Sequence, residues 1–176
     1  MFFTNKNILL GVTGGIAAYK AAEIIRNFKK EGANVRVVMT ESAKEFITPL
    51  TLQAISGNEI HDSLLDVKAE SAMGHIELAK WADIILIAPC TAETMAKITH
   101  GRADDLLGAI ILATKANIYL APAMNMNMWL DKSTQENFKI LSSREITFIG
   151  PAKGCLLYTS DAADEGLGVD LGGRRI

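Results

Sequence analysis

Length and composition predict one compact domain, because 176 residues, of which 49% are hydrophobic, can enclose a sizeable core. The formal net charge of −2, without any long Lys/Arg block, argues against a nucleic-acid binder, and no apolar run is long enough to span a membrane. Two cysteines do not make a disulfide framework and the first residues do not resemble a signal peptide, so we predict a cytoplasmic protein.

Short β-rich runs alternate with helical patterns along the chain, which is typical of a parallel sheet with helices on both faces. In chain order we predict a strand over 7–10, a helix over 16–30, a strand over 34–39, helices over 49–55 and 76–81, a strand over 83–88, helices over 92–100 and 105–113, a strand over 117–121, a helix from 128 to about 142, and a strand over 146–149. The pattern predicts an α/β fold with a doubly wound parallel sheet in three layers.

The first predicted strand runs into a glycine turn, Gly11-Val12-Thr13-Gly14-Gly15, and then into a helix. Backbone N–H groups at a helix start point outward, and glycine permits close approach by a phosphate. The turn matches neither G-x-G-x-x-G nor a P-loop, so NAD and ATP are not indicated. A glycine pair is also ordinary punctuation of a tight βα turn, and both interpretations stay open at this point.

Small hydroxyl residues follow the next two long strands. Thr40 comes after the strand over 34–39, where it can cap a helix or offer its hydroxyl to a phosphate, and capping is the safer interpretation. The strand over 83–88 is followed by Pro89-Cys90-Thr91-Ala92-Glu93-Thr94. Because the carboxyl ends of parallel strands meet at one edge of a sheet, these loops and the glycine turn are expected to lie together and to favour a phosphate-bearing ligand.

Residues 121–129, with the sequence APAMNMNMW, crowd polar and methionine side chains where another predicted strand ends. Asn and Pro fit poorly inside strands or helices, and loops at the carboxyl edge of a parallel sheet are where α/β proteins bind ligands. The alternative is a helix entry with Asn127 as the N-cap and the methionines as core filler. This segment alone does not decide between the two.

Five blocks of sequence occur in an order that is typical of one family. They are GGIAAYK at 14–20, TPLTLQ at 48–53, HIEL at 75–78 with WAD at 81–83, APCTAETMAK at 88–97 and PAMNMNMW at 122–129. Together they resemble the homo-oligomeric flavin-containing cysteine decarboxylases, and most closely the phosphopantothenoylcysteine decarboxylase branch. The resemblance spans about residues 6–154, and five matches in order make a chance likeness improbable.

The resemblance implies a flavodoxin-like fold, a homo-oligomer that is a trimer or a dodecamer, FMN bound at a subunit interface, and no metal. The residues that would hold FMN by this analogy are Gly14, Gly15, Ile16, Ala17, Thr40, Thr91, Ala92, Thr94, Ala123 and Met124. The family commonly has Asn where this chain has Glu93. Cys90 stands at a variable small-residue position, so we predict a buried thiol there.

The implied reaction is FMN-dependent decarboxylation of a small molecule, 4'-phosphopantothenoylcysteine, to 4'-phosphopantetheine in coenzyme A biosynthesis. His75 resembles the family's essential histidine and would act as the base, the alternative being a helix-capping or core histidine. Asn125 would bind the substrate carboxylate through its amide N–H donors, beside Met128. The alternative functions are a peptidyl-cysteine decarboxylase and, from another class, a non-catalytic FMN-binding regulatory subunit.

The end of the chain departs from the family, whose full-length members carry an Ala-Cys-Gly flap. After Gly154 this chain reads CLLYTSDAADEG and it ends in VDLGGRRI. These stretches resemble a translated sequencing adapter and lack helical or strand periodicity. We therefore predict a decarboxylase domain over 1–154 and a disordered, non-native tail over 155–176. Resequencing the source gene across Gly154 tests this, and an uninterrupted genomic read of the tail would contradict it.

Overall fold

Six parallel strands form one sheet in the computed structural model of this chain, which describes residues 2–64 and 74–151. The strands are β1 (Asn7–Val12), β2 (Asn34–Met39), β3 (Ile60–His61), β4 (Ile84–Cys90), β5 (Asn117–Pro122) and β6 (Thr147–Phe148). Their order across the sheet is β3-β2-β1-β4-β5-β6, and every pairing is parallel. The predicted α/β fold with a doubly wound parallel sheet is confirmed.

The strand order reverses between β1 and β4. Without the two-residue β3, the remaining five strands have the order of flavodoxin; with it, the sheet has the six-strand order of the dinucleotide-binding fold. In both topologies ligands bind beyond the carboxyl ends of the strands, at the point of reversal. The loops that follow β1 and β4 flank that point and are the first place to look for a site.

The connections between the strands are helical throughout most of the described part of the chain. They comprise two 3-10 helices, Ile16–Lys20 and Glu41–Glu45, and the α-helices α1 (Ala21–Lys30), α2 (Pro49–Ser56), α3 (Gly74–Trp81), α4 (Ala92–Thr99), α5 (Leu106–Ala113), α6 (Met126–Leu130) and α7 (Lys132–Ser143). No helix in residues 2–64 or 74–151 is both long and apolar enough to cross a membrane.

The sheet separates two halves of the core, which gives the predicted three layers. Ile8 and Leu10 of β1 pack with buried residues of α1 and α2 on one face. Leu9, between them, faces the other half of the core, which contains buried residues of α3, α4, α5 and α7. Because side chains alternate along a strand, β1 is covered on both faces, as central strands of parallel sheets usually are.

The two longest predicted helices differ from the observed ones. The helix predicted over 16–30 begins as a 3-10 helix and becomes α-helical at Ala21. The helix predicted from Met128 is two helices, α6 and α7, which meet at Asp131. Asp131 has an extended ψ of 140° and its carboxylate accepts a hydrogen bond from the Ser133 N–H at 2.9 Å, so it ends one helix and caps the next.

Candidate functional site

A buried threonine joins the loops that follow β1 and β4. The Thr13 hydroxyl donates to the Pro89 carbonyl oxygen at 2.6 Å, and its oxygen accepts from the Thr91 N–H at 3.3 Å. Thr13 is 1% exposed. This bridge holds the two loops together at the point of strand reversal. The sequence analysis did not predict a role for Thr13. Its position in the glycine turn was the one feature of the sequence that could have suggested a role.

The two glycines of the turn have different surroundings. A Cβ added to Gly14 would lie 2.5 Å from Ser42 Oγ and 2.9 Å from the Ser42 carbonyl carbon, which is too close for any side chain. A Cβ added to Gly15 would have Thr91 Cγ2, at 4.0 Å, as its nearest neighbour. Gly14 is therefore required by the packing of the loops after β1 and β2, whereas space remains beside Gly15.

Backbone donors are available beside that space. Within the described residues, the N–H groups of Gly14, Gly15, Ile16 and Ala17 donate no hydrogen bond, as expected at a helix start. The first N–H group after the turn that makes a hydrogen bond is that of Ala18, which donates to the Gly15 carbonyl oxygen at 2.9 Å. A turn with unsatisfied N–H groups and room above a glycine suits an anion such as a phosphate.

Hydroxyl groups surround the glycine turn on both sides. The Thr91 hydroxyl oxygen caps α4 by accepting from the Thr94 N–H at 3.2 Å, and it lies 2.9 Å from the Thr94 hydroxyl. Thr40 occupies the N-cap position of the second 3-10 helix, but its side chain makes no capping hydrogen bond and lies 3.2 Å from Ser42 Oγ. The prediction that Thr40 caps a helix is therefore confirmed for its position, but its hydroxyl pairs with Ser42 and not with a backbone N–H.

Cys90 is the last residue of β4 and is fully buried. Burial raises the pKa of its thiol far above the ordinary value, which keeps it protonated. The prediction of a buried thiol is confirmed. The Cys90 carbonyl oxygen accepts from the Ala123 N–H at 3.1 Å, and this bond brings the segment after β5 against the loop that contains Thr91 and Ala92.

Asn125 caps α6. Its Oδ1 accepts from the Asn127 N–H at 2.8 Å, so the alternative in which Asn127 is the N-cap is wrong. Asn125 is exposed, and no atom of the described residues accepts a hydrogen bond from its amide nitrogen. Since the oxygen is occupied, the two N–H donors are what this side chain presents to a ligand.

The methionines around Asn125 have separate environments. Met124 is half-buried and packs against the half of the core that contains α4 and α5, as the core-filler interpretation predicts. Met128 is 49% exposed and is not core filler. Beneath α6, the ring centroids of Trp129 and Phe138 are 5.4 Å apart, and this aromatic contact supports the helix that carries Asn125.

His75 is the second residue of α3. Because α3 leads into β4, it runs back along the sheet, so His75 lies nearer to the carboxyl edge than Trp81 does. The His75 Nδ1 atom is buried and has no hydrogen-bond partner among the described residues. A capping or core histidine would normally be satisfied at that nitrogen, so the described residues do not support either alternative.

Residues 2–64 and 74–151 contain no group of three or more His, Cys, Asp or Glu side chains placed to hold a metal ion. Of the predicted site residues, those after β1, β2, β4 and β5 lie along one edge of the sheet, and His75 lies in the first turn of a flanking helix. The arrangement offers N–H donors for an anion, amide donors at Asn125 and an imidazole nitrogen that has no partner in residues 2–64 or 74–151.

Comparison with known proteins identifies the family. The Flavoprotein family model matches residues 3–169. The chain belongs to the Flavoprotein family. The coenzyme A biosynthesis bifunctional protein CoaBC of Haemophilus influenzae is 58% identical over 154 residues, which cover 88% of this chain and 38% of that protein. The chain thus spans less than half the length of the curated relatives it matches.

Solved structures agree with the family assignment. A Cys-to-Ser mutant of PPC decarboxylase complexed with pantothenoylaminoethenethiol superposes with a TM-score of 0.73 at 33% identity, over 85% of this chain and 84% of the other. The FMN-binding protein AtHal3 superposes with a TM-score of 0.75 at 34% identity, over 86% and 84%. The resemblance to flavin-containing cysteine decarboxylases is confirmed, and a flavin cofactor is supported by the family and by these relatives.

Proposed function

We propose that this chain catalyses the FMN-dependent decarboxylation of 4'-phosphopantothenoylcysteine to 4'-phosphopantetheine in coenzyme A biosynthesis. The observation that carries the proposal is the orientation of Asn125, whose occupied oxygen leaves two amide donors for a carboxylate at the edge of the sheet where ligands bind. The similarity to CoaBC and to PPC decarboxylase supports this substrate.

The residues at the carboxyl edge fit FMN. The unsatisfied N–H groups of the glycine turn and the space beside Gly15 would receive its phosphate. The other residues proposed to hold it are Thr40, Thr91, Ala92, Thr94, Ala123 and Met124. When bound, FMN supplies the oxidation of the substrate's cysteine thiol to a thioaldehyde, which makes loss of the adjacent carboxylate easy.

His75 and Asn125 handle the proton and the carboxylate. His75 accepts a proton from the substrate, which is the usual work of a histidine in general base catalysis. Asn125 donates its amide N–H groups to the carboxylate. Because the amide is neutral, it orients the carboxylate without the firm pairing of an arginine, so CO2 can leave. Met128, half exposed beside Asn125, offers an apolar contact to the substrate.

The proposal is tested by mixing the protein anaerobically with 4'-phosphopantothenoylcysteine while flavin absorbance is followed and CO2 is trapped. We expect CO2 release with the flavin left reduced and the substrate left as the aminoenethiolate, one reduction short of 4'-phosphopantetheine, because the chain does not match the cysteine-carrying flap that serves the final reduction in full-length relatives. An unchanged flavin spectrum without CO2 contradicts the proposal. The same experiment with a peptide that ends in cysteine identifies a peptidyl-cysteine decarboxylase if CO2 is released. If neither substrate releases CO2 or changes the flavin absorbance, the chain is a regulatory subunit.

Alanine at Gly14 and at Gly15 is expected to have different effects. Gly14→Ala forces Ser42 to move and should lower stability by roughly 1–3 kcal/mol, the usual cost of overpacking. Gly15→Ala meets no atom of the described residues closer than 4.0 Å, so it should keep the melting temperature while weakening FMN binding by filling the proposed phosphate space. Thermal unfolding of the FMN-free variants and FMN titration check this. Equal melting temperatures for the two variants would contradict the packing argument.

We further propose that the protein is a cytoplasmic homo-oligomer, a trimer or dodecamer, that binds neither nucleic acid nor membrane. Apolar side chains are exposed in the connections that leave the carboxyl edge: Ile16 is 61%, Phe46 49% and Leu50 73% exposed. Burying such residues against a second copy would stabilise an assembly. Sedimentation velocity tests this, and a monomer at micromolar concentration would contradict it.

A further inference from the structure

The carboxyl-terminal half of α3, the helix that carries His75, is firmly attached to the rest of the domain. The Trp81 carbonyl oxygen accepts from the Asn7 side-chain amide at 3.0 Å, and the Ala79 carbonyl oxygen accepts from the Thr114 hydroxyl at 3.1 Å. Leu78 and Ala79 are buried in the core. These contacts fix the end of the helix that lies away from His75.

The amino-terminal turn of α3 contacts the sheet through a different residue, Arg36 on β2. Glu77 is the first residue of α3 whose side chain makes a polar contact with the sheet, within the described residues. Its carboxylate lies 3.7 Å from Arg36 Nη1 on β2. The Arg36 guanidinium carbon also lies 4.6 Å from the ring centroid of Trp81, one helical turn further along. Arg36 therefore contacts both turns of the helix from one strand.

These contacts restrict how the helix can move. A guanidinium that stacks on an aromatic ring keeps a defined plane, and its N–H groups then have a defined direction. Arg36 and Glu77 are both partly exposed, with 31% and 63% of their side chains accessible, so the ion pair adds little to overall stability. What the pair does is link β2 to Glu77, which lies two residues after His75 in the first turns of α3.

We infer that Arg36 is a positioning residue for His75: by stacking on Trp81 and pairing with Glu77, it holds the first turn of α3 where the His75 imidazole meets the substrate. The inference rests on the proposed function for the role of His75. It adds a residue on β2, outside the matched sequence blocks, to the machinery that orients the base.

The test uses FMN-free protein labelled with ¹⁵N-histidine, in which the ring signals of His61, His75 and His100 are separate probes. The His75 signals are assigned by their loss in His75→Asn. We expect Arg36→Gln to shift or broaden the His75 signals and to leave those of His100 in place, whereas His61 lies on the strand next to Arg36 and is not a reference. Arg36→Lys, which retains the charge without the planar stacking, should give an intermediate change. Unaltered His75 signals in Arg36→Gln would overturn the inference.

The FMN-loaded protein gives a second readout. At saturating substrate, Arg36→Gln should slow anaerobic flavin reduction by about tenfold, because small displacements of a reacting group weaken catalysis steeply, while the substrate dissociation constant changes little. Arg102→Gln is the matched control, since Arg102 pairs with Asp104 at 2.7 Å in the connection after α4 and should leave rate and signals unaltered.

Two results separate the failure of this inference from failure of the proposed function. Glu77→Gln removes the same ion pair from an exposed position, so it should produce the His75 shift even if Arg36→Gln proves too unstable to study. If His75→Asn retains full CO2 release, the proposed role of His75 is wrong, whereas the ring signals still decide whether Arg36 positions it. Where Arg36→Gln is too unstable to study, a wild-type His75 signal in Glu77→Gln would refute the positioning role.

Discussion

His75→Asn is expected to abolish CO2 release while FMN stays bound. A general base contributes about 10²- to 10⁴-fold to a reaction, so the rate of anaerobic CO2 release should fall by at least about 100-fold. FMN should remain, because the proposed cofactor contacts come from the loops after β1, β2, β4 and β5 and not from α3. Stopped-flow flavin absorbance and trapped CO2 measure the first effect, and FMN titration measures the second.

The matched control for His75→Asn is His100→Asn. His100 follows α4 as its C-cap, and its Nδ1 lies 2.8 Å from the Ala96 carbonyl oxygen on the exposed surface. Because α4 runs away from the carboxyl edge, this histidine lies at the other end of the sheet, and its replacement should leave CO2 release intact. Full activity in His75→Asn, or equal losses in both variants, would remove His75 from the mechanism.

The second large effect is expected from Asn125→Asp. Aspartate accepts the Asn127 N–H as asparagine does, so α6 keeps its cap and the melting temperature should hold. The change replaces the NH2 group, which carries both donors, with a single oxygen and places a negative charge opposite the substrate carboxylate. Since a hydrogen bond to a charged group is worth roughly 1.5–3 kcal/mol, substrate binding should weaken by more than about tenfold.

Asn127→Asp is the control for this prediction, because it makes the same chemical change two residues further along. Asn127 contributes its backbone N–H to the cap, and its exposed side chain makes no hydrogen bond within the described residues. Isothermal titration of the FMN-loaded variants with substrate measures both affinities. The role given to Asn125 is wrong if Asn125→Asp binds as tightly as the unaltered protein, or if the Asn127 variant loses as much.

The elements that sequence reasoning placed well have strong local patterns. The strand predicted over 34–39 is β2 with the same bounds, and the helix predicted over 92–100 ends within one residue of α4. Strand β3 was missed because two residues carry no periodicity. The single helix predicted from 128 is divided at Asp131. The hydrophobic pattern continues through this position, and the one sequence sign of the division is that Asp is a preferred N-cap residue.

At the candidate site, the hydrogen-bond partner of each polar side chain was the hardest feature to predict from the sequence. Thr40 stands at the predicted N-cap position, but its hydroxyl pairs with Ser42 and not with a backbone N–H of the helix. The cap of α6 is Asn125 and not Asn127, although both have the right side chain. Short polar side chains can satisfy several neighbouring groups at similar cost, so the sequence pattern leaves the choice open and the backbone path decides it.

The sequence by itself determined the parallel sheet, the placement of ligand-binding loops at one edge and the family, because periodicity, turn residues and motif spacing are properties of short segments. Only the tertiary structure decided how these loops meet. Thr13 joins Pro89 across 76 positions of sequence, Ser42 closes the space beside Gly14, and the Nδ1 of His75 is buried without a partner among the described residues. Such contacts arise between segments distant in the chain, where packing and burial, and not local preference, select the partner.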